Sequence, residues 1–139
     1  MDSLTPERRS ANMSKIRSVN TRPEMVVRSL LHRRGYRFRL HRNDLPGKPD
    51  IVLPKHKAII LIHGCFWHGH NCKIASSPKS NKEYWTPKIL SNRTRDARNL
   101  EKLREQGWHV LILWECEIRK IDIAEERILS FFADLKAAT

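Results

Sequence analysis

The segment HGCFWHGHNC, residues 63–72, sets three histidines, two cysteines and two aromatic residues within ten positions, directly after the apolar run AIILI. Zinc takes four ligands at tetrahedral corners, and thiolates and neutral imidazoles are its usual donors. Cys65, His70 and Cys72 can supply three from this segment, and Cys116, at the far end of another apolar run, can supply the fourth. That set uses all three cysteines of the chain, an odd number that rules out a fully paired disulfide framework within one chain. His63 and His68 compete for the imidazole position, although a ligand two residues from Cys72 closes the more compact loop. Three buried thiols without a metal are the alternative, because free cysteine is among the most buried residue types. A complete Cys3His set would make the zinc structural, whereas a catalytic zinc keeps one position open.

A second chemistry starts at Asp50, in LPGKPDIV. A hairpin over residues 50–62 would bring its carboxylate to the end of the next strand, beside Ile62 and His63. A carboxylate, a backbone carbonyl and waters form the oxygen-rich surroundings that Mg²⁺ prefers, and a histidine outside the zinc set, His63 or His68, can deprotonate an attacking water. Such a group would suit phosphodiester hydrolysis. A simple turn residue after PGKP is the equally weighted alternative for Asp50. Phe66 and Trp67 interrupt the zinc ligands at a strand-end loop. Aromatics there more often join a core, but in a basic protein they can wedge between bases and kink a duplex. Met13 and Ile16 could do the same from another groove.

The elements that must position these groups follow from spacing. Residues 4–18 read as a thin helix with Thr5 and Pro6 at its start and only Met13 and Ile16 as large apolar residues on one face, which suits an arm better than a core helix. The segment NTRPEMVVRSLLHRRG reads as an amphipathic helix with Asn20 or Thr21 as its cap, Pro23 and Glu24 in its first turn and Gly35 as its terminator. YRFRL alternates as a half-buried strand. A short strand over 50–53 and a fully apolar one over 58–62 should pair antiparallel across a short loop, the second buried on both faces. After Trp85, Thr86 and Pro87 should open a long helix to Gln106, with Ile89, Leu90, Ala97, Leu100 and Leu103 on its apolar face and Arg93, Arg95 and Arg98 elsewhere. WHVLILWEC is a central strand, and DIAEERILSFFADLK closes the chain as a helix. The fold class is therefore α/β (α+β), a small mixed sheet flanked by helices.

The whole fits one domain of 139 residues, with residues 1–19 as the arm and 20–139 as the core. Lysine and arginine number 27 against 15 acids, a net charge of +12, which favours a polyanionic partner such as nucleic acid. No stretch reaches the roughly 18 apolar residues of a membrane span, and the start of the chain lacks a secretory h-region, so a cytosolic protein is expected.

In this order and at these spacings, RSANMSKIRSVNTRPE, LPGKPDIV, HGCFWHGHNC, EYW and GWHVLILWEC resemble the very-short-patch-repair (Vsr) DNA mismatch endonucleases over about residues 9–118. The resemblance implies a restriction-endonuclease-like fold with a structural zinc. It implies Mg²⁺-dependent nicking of duplex DNA on the 5′ side of the thymine in a T:G mismatch left by deamination of 5-methylcytosine. Carried over, Cys65, His70, Cys72 and Cys116 match the zinc ligands. Asp50 and the main-chain carbonyl of Ile62 match the Mg²⁺ ligands, His68 the general base, and His63 and Glu24 residues that hold waters of that ion. Phe66, Trp67 and Trp85 match the aromatic wedge, with Met13 and Ile16 its counterpart on the arm. Double-stranded DNA is the implied substrate, a cytosine-5 methyltransferase and the mismatch-repair protein MutL the functional partners, and a nucleoid-associated monomer the working form. The acid and lysine that many nucleases carry on the next strand are missing from AIILIH, a departure shared with this family. A zinc-stabilised DNA-binding module without hydrolytic activity is the alternative function.

Overall fold

The computed structural model describes residues 21–65 and 82–137, the side chains of residues 82–86 excepted. Helix α1 spans Arg22–Arg33. Thr21 caps it, its Oγ1 accepting from the Glu24 amide at 3.4 Å, and Gly35, at φ +81°, turns the chain out of it. Strands β1 (Arg39–Leu40), β2 (Ile51–Leu53) and β3 (Ala58–His63) follow, with a 3-10 turn over Pro54–His56 between the last two. Then come α2 (Lys82–Glu105), β4 (His109–Trp114), the single turn α3 (Glu115–Ile118) and α4 (Ile121–Ala137).

The strands form one mixed sheet in the order β1-β2-β3-β4. The first two pairings are antiparallel, and β3 with β4 is parallel, as a connection through a helix allows. Register places Ile51 opposite Ile60 and Leu53 opposite Ala58, the hairpin expected from the sequence. Strand β1 is shorter than YRFRL suggested. Its pairing ends with Arg39 opposite Val52, because β2 gives way to a 3-10 turn at Pro54 and has no ladder left to offer Tyr36. Tyr36 stacks on Phe132 of α4 instead, ring centroids 4.2 Å apart.

Alternate residues of β3 enter opposite layers, as the two-residue strand period dictates. Ala58 and Ile60 join Ile51, Leu53, Leu111 and Leu113 under α1 and α4, which bring Val27, Leu30 and Leu31, and Ala124, Ile128 and Phe132. Each fully buried side chain here contributes about 1.5–3 kcal/mol of transfer free energy against the entropy of ordering the chain. Ile59 and Val52 face the other way, toward Leu103 and Trp108. That second layer is thin, and Lys57 closes its edge with Nζ 4.2 Å from the centre of the Trp108 ring.

Helix α2 differs most from expectation. It already runs at Lys82, so Pro87 lies inside it and removes a backbone hydrogen bond. Leu90 and Ala97, assigned to its apolar face, are exposed; Leu103 alone among its described side chains is fully buried. The half-buried positions Ile89, Asn92, Asp96, Asn99 and Leu100 recur at helical spacing, so the side turned inward carries amides and a carboxylate as well as aliphatic groups. Asn99 packs on the turn before Asp50. A Cβ on Gly47 would stand 2.8 Å from Asn99 Nδ2, and Gly47 is at φ +74°, so both space and backbone demand glycine there. Among the described residues no helix is long and apolar enough to cross a membrane.

Candidate active site

The helical stripe that buries α1 contains a carboxylate. Glu24, Val27 and Leu31 follow one another at spacings of three and four, and Glu24, 2% exposed, is as deep as the aliphatic residues below it. A Thr21-x-x-Glu24 pattern ordinarily makes a capping box, with the glutamate reaching back to its own helix start. Here the carboxylate turns elsewhere. Both its oxygens lie 3.0 Å from His41 Nε2, and Arg28 Nη1 donates to Oε2 at 3.2 Å. Burying a carboxylate this deep without such hydrogen-bonding company would be costly.

His41 ends β1. Its amide donates to the Asp50 carbonyl at 3.1 Å, extending the β1-β2 register by one pair. Its backbone then swings to φ +48°, a left-handed conformation for which histidine is one of the better-tolerated side chains. Arg42 and Asp44 follow as an exposed pair, 2.6 Å apart at closest. The hydrogen bond from Arg42 holds the Asp44 carboxyl below the usual range, and the same bond raises the Arg42 guanidinium further.

Asp50 enters β2. One of its carboxylate oxygens accepts from the Ile62 amide at 2.9 Å, which is where the hairpin was expected to place it. Ligand atoms of Glu24, His41 and Asp50 lie within 4.8 Å of one another, a donor set of two carboxylates and an imidazole that fits a divalent cation. Three separate elements thus meet at one point: the first turn of α1, the end of β1 and the start of β2.

His63 is the last residue of β3, buried, opposite Trp114 in the parallel pairing. Its ring meets the Trp114 ring edge-on at 5.1 Å. Cys65 follows two residues later, fully buried, and its Sγ accepts from the Cys116 amide at 3.4 Å. The two cysteines 51 residues apart in sequence are therefore adjacent. Cys116 sits in the turn α3 rather than on the strand itself. There Glu117 caps the turn by accepting from Trp114 N at 3.0 Å, and Arg127 of α4 donates to both carboxylate oxygens of Glu117, at 2.7 and 2.9 Å, and to the Ile112 carbonyl at 2.8 Å.

Of the residues expected to act, the structure thus brings Glu24, Asp50 and Ile62 together, and separately Cys65 and Cys116. Met13, Ile16, Phe66, Trp67, His68, His70 and Cys72 lie outside the described residues, as does the side chain of Trp85, whose backbone falls in α2. His41 was missed. Its signal lies in register: once residue 40 pairs with 51, residue 41 stands opposite Asp50. A cleft of about 620 Å³ against His32, Tyr36, Pro54 and His56 lies at the other end of β2, away from this chemistry.

The family description DNA mismatch endonuclease Vsr matches residues 1–74, more than half of the chain. The chain belongs to the Vsr DNA mismatch endonuclease family. It is similar to the Type II nicking enzyme V.XorIIP of Xanthomonas oryzae pv. oryzae, 54% identical over 127 residues that cover 91% of this chain and 93% of that one. It is also similar to the Type II nicking enzyme V.NmeAIP of Neisseria meningitidis, at 42% over 99% of this chain and 98% of that one. With the DNA mismatch endonuclease Vsr of Escherichia coli it shares 43% identity over 111 residues, 80% of this chain and 71% of that one. In fold it matches the catalytic domain of the homing endonuclease I-Bth0305I with a TM-score of 0.60 at 24% identity, over 84% of this chain and 98% of that one. This Vsr-family chain is accordingly an endonuclease that nicks DNA, a phosphodiester hydrolase. The alternative of a DNA-binding module without hydrolytic activity gives way to that membership.

Proposed function

We propose that this enzyme nicks duplex DNA on the 5′ side of the thymine in a T:G mismatch and so opens a very short patch for repair. The observation that carries the reading is Asp50: its carboxylate stands at a strand entrance, one oxygen fixed by the Ile62 amide, beside the buried Glu24 and against the segment that leads to His68. Asp50 and the Ile62 carbonyl are the residues that would hold Mg²⁺. A cation bound there supplies Lewis-acid stabilisation to the charge gathering on the phosphate. His68 takes the proton of the attacking water. Glu24 and His63 orient water around the centre. The bond between phosphorus and the 3′-oxygen breaks, leaving a 3′-hydroxyl and a 5′-phosphate.

Phe66, Trp67 and Trp85, with Met13 and Ile16 from the arm of residues 1–19, wedge the weakened base pair, an investment of a few kcal/mol in unstacking that a T:G pair lowers. Lys88, Arg93, Arg95, Arg98, Lys102 and Arg104 are all exposed on α2 and supply the cationic surface that DNA phosphates require. Cys65, His70, Cys72 and Cys116 hold one structural zinc, a reading supported by the 3.4 Å contact between Cys116 N and Cys65 Sγ. The enzyme works as a monomer of one domain on cytosolic, nucleoid-associated DNA, downstream of a cytosine-5 methyltransferase and alongside MutL.

The test is a set of end-labelled duplexes with randomised flanks, carrying either T:G or T:A at one position and incubated with Mg²⁺. A single nick 5′ to the mismatched thymine, with the opposite strand whole, is expected. Equal cutting of the matched duplexes, or cutting of both strands, would overturn the mismatch assignment.

A further inference from the structure

We propose that His41 is a direct ligand of the catalytic cation, so that the centre is a carboxylate–imidazole–carboxylate set from Glu24, His41 and Asp50. The inference rests on the reading of Asp50 as a cation ligand and goes beyond it in donor set, with Glu24 bound directly rather than through a water, and in choice of ion.

Three observations converge. Ligand atoms of the three side chains already lie within 4.8 Å of one another, although they come from three elements and are separated by 17 and 9 residues. Nε2 of His41 points at both oxygens of Glu24 at 3.0 Å. Glu24 itself is only 2% exposed and His41 15%, so the imidazole and the carboxylate meet largely away from solvent. A surface histidine beside a glutamate would carry no such meaning. Here a carboxylate has been placed on the core stripe of a helix, at a cost in desolvation, and the backbone of His41 takes a left-handed turn where its ring meets it.

Bound to a cation through Nε2, the imidazole would carry its hydrogen on Nδ1. Arg28 holds Oε2 of Glu24 and the Ile62 amide holds one oxygen of Asp50, so hydrogen bonds fix both carboxylates beside the shared point. Only the contacts between His41 Nε2 and Glu24 give way, replaced by bonds of both groups to one ion.

The donor set has a consequence for the metal. Oxygen-only sites suit Mg²⁺, while an imidazole shifts a mixed site toward transition-metal ions, in the rising order Mn²⁺, Fe²⁺, Co²⁺. The centre should therefore bind Mn²⁺ more tightly than Mg²⁺, and the preference should depend on His41.

Pulsed electron paramagnetic resonance on the zinc-loaded full chain with one equivalent of Mn²⁺ tests this directly. Expected are a bound Mn²⁺ with the hyperfine coupling of a directly attached ¹⁴N, loss of that coupling in His41→Gln and its persistence in His63→Gln. The Mn²⁺ dissociation constant should rise about 10- to 100-fold in His41→Gln, and less for Mg²⁺. His41→Asn serves as a second variant should the glutamine fold poorly. Mn²⁺ bound without nitrogen coupling, or coupling that survives both substitutions, would reduce His41 to a residue that positions Glu24 by a hydrogen bond. Mn²⁺ binding that is indifferent to Asp50→Asn would overturn the cation site itself, and the proposal with it.

Discussion

Two corners of the sheet diverge at the carboxyl end of β3, and they are built from opposite kinds of donor. One, around Asp50, offers two carboxylates and an imidazole held by hydrogen bonds from Ile62 and Arg28. The other, around Cys65 and Cys116, offers thiols, anchored by a backbone amide and by a turn that Glu117 and Arg127 clamp. Hard oxygen donors suit an exchangeable cation that works on phosphate, whereas thiolates suit a zinc that stays in place. On the proposed reading the difference is a division of labour: the oxygen corner spends stability, since it buries Glu24 on a core stripe, and a zinc at the thiol corner would return it. Damage at one corner should therefore be read in activity and damage at the other in folding.

Asp50→Asn should break the comparison most sharply. The amide oxygen still accepts from Ile62, so the strand end keeps its hydrogen bond, but the charge is gone. We expect nicking to fall by about 10²- to 10³-fold or more, with the unfolding midpoint and zinc content unchanged. Asp50→Ala is the coarser probe, because it also strips the Ile62 amide of its acceptor at a cost of about 1–3 kcal/mol. If Asp50→Asn nicks at the wild-type rate while folding normally, the oxygen corner is not the catalytic one.

Cys116→Ser is the converse. Zinc binding and folding share free energy, so loss of one thiolate should lower stability by several kcal/mol and zinc content with it, measured by thermal melting and by chelator titration. Activity should follow the folded fraction. A variant with an unchanged melting point and intact zinc would remove Cys116 from the metal set.

How much of this was legible in the chain depends on the distance over which each feature is decided. The hairpin of β2 and β3 and the contact of Asp50 with Ile62 follow from a short loop between two apolar runs, and both could be read. The helix over residues 22–33 was equally plain, because Thr21, Pro23 and Gly35 punctuate it locally. His41 was overlooked for a different reason. It sits one residue past the alternating stretch, and its place opposite Asp50 follows from the pairing of Leu40 with Ile51, a register decided between strands rather than by pattern. Leu90 and Ala97 of α2 were given to an apolar face that the helix does not bury. Which side of a weakly amphipathic helix turns inward is settled by its neighbour, here the Gly47 turn against Asn99, and the sequence of the helix alone does not record it. Glu24 was assigned from family resemblance and otherwise read only as a first-turn residue. Its burial and its turn toward His41 are tertiary facts.

The smallest effect should come from Arg127, and it is the one that asks whether the corners are separable at all. Its guanidinium joins α4 to the Ile112 carbonyl and to Glu117, whose carboxylate caps the turn carrying Cys116. Arg127 is 38% exposed and Glu117 22%, so solvent screens the pair, and the two charge-assisted bonds together should be worth about 1 kcal/mol rather than the larger figure of a dry site. Arg127→Ala should thus lower the melting point by about 2–4 °C, and a double-mutant cycle with Glu117→Ala should show that most of the loss is shared. Nicking per folded molecule should stay at the wild-type level, because nothing in this clamp reaches Asp50. The Ile112 carbonyl, however, lies on the strand beside β3, opposite Leu61 and one residue short of Ile62 in the parallel register. Should Arg127→Ala depress turnover more than stability, the strain would be passing from α4 through β4 into the Ile62 strand end, and the two corners would form one mechanical unit instead of two independent sites.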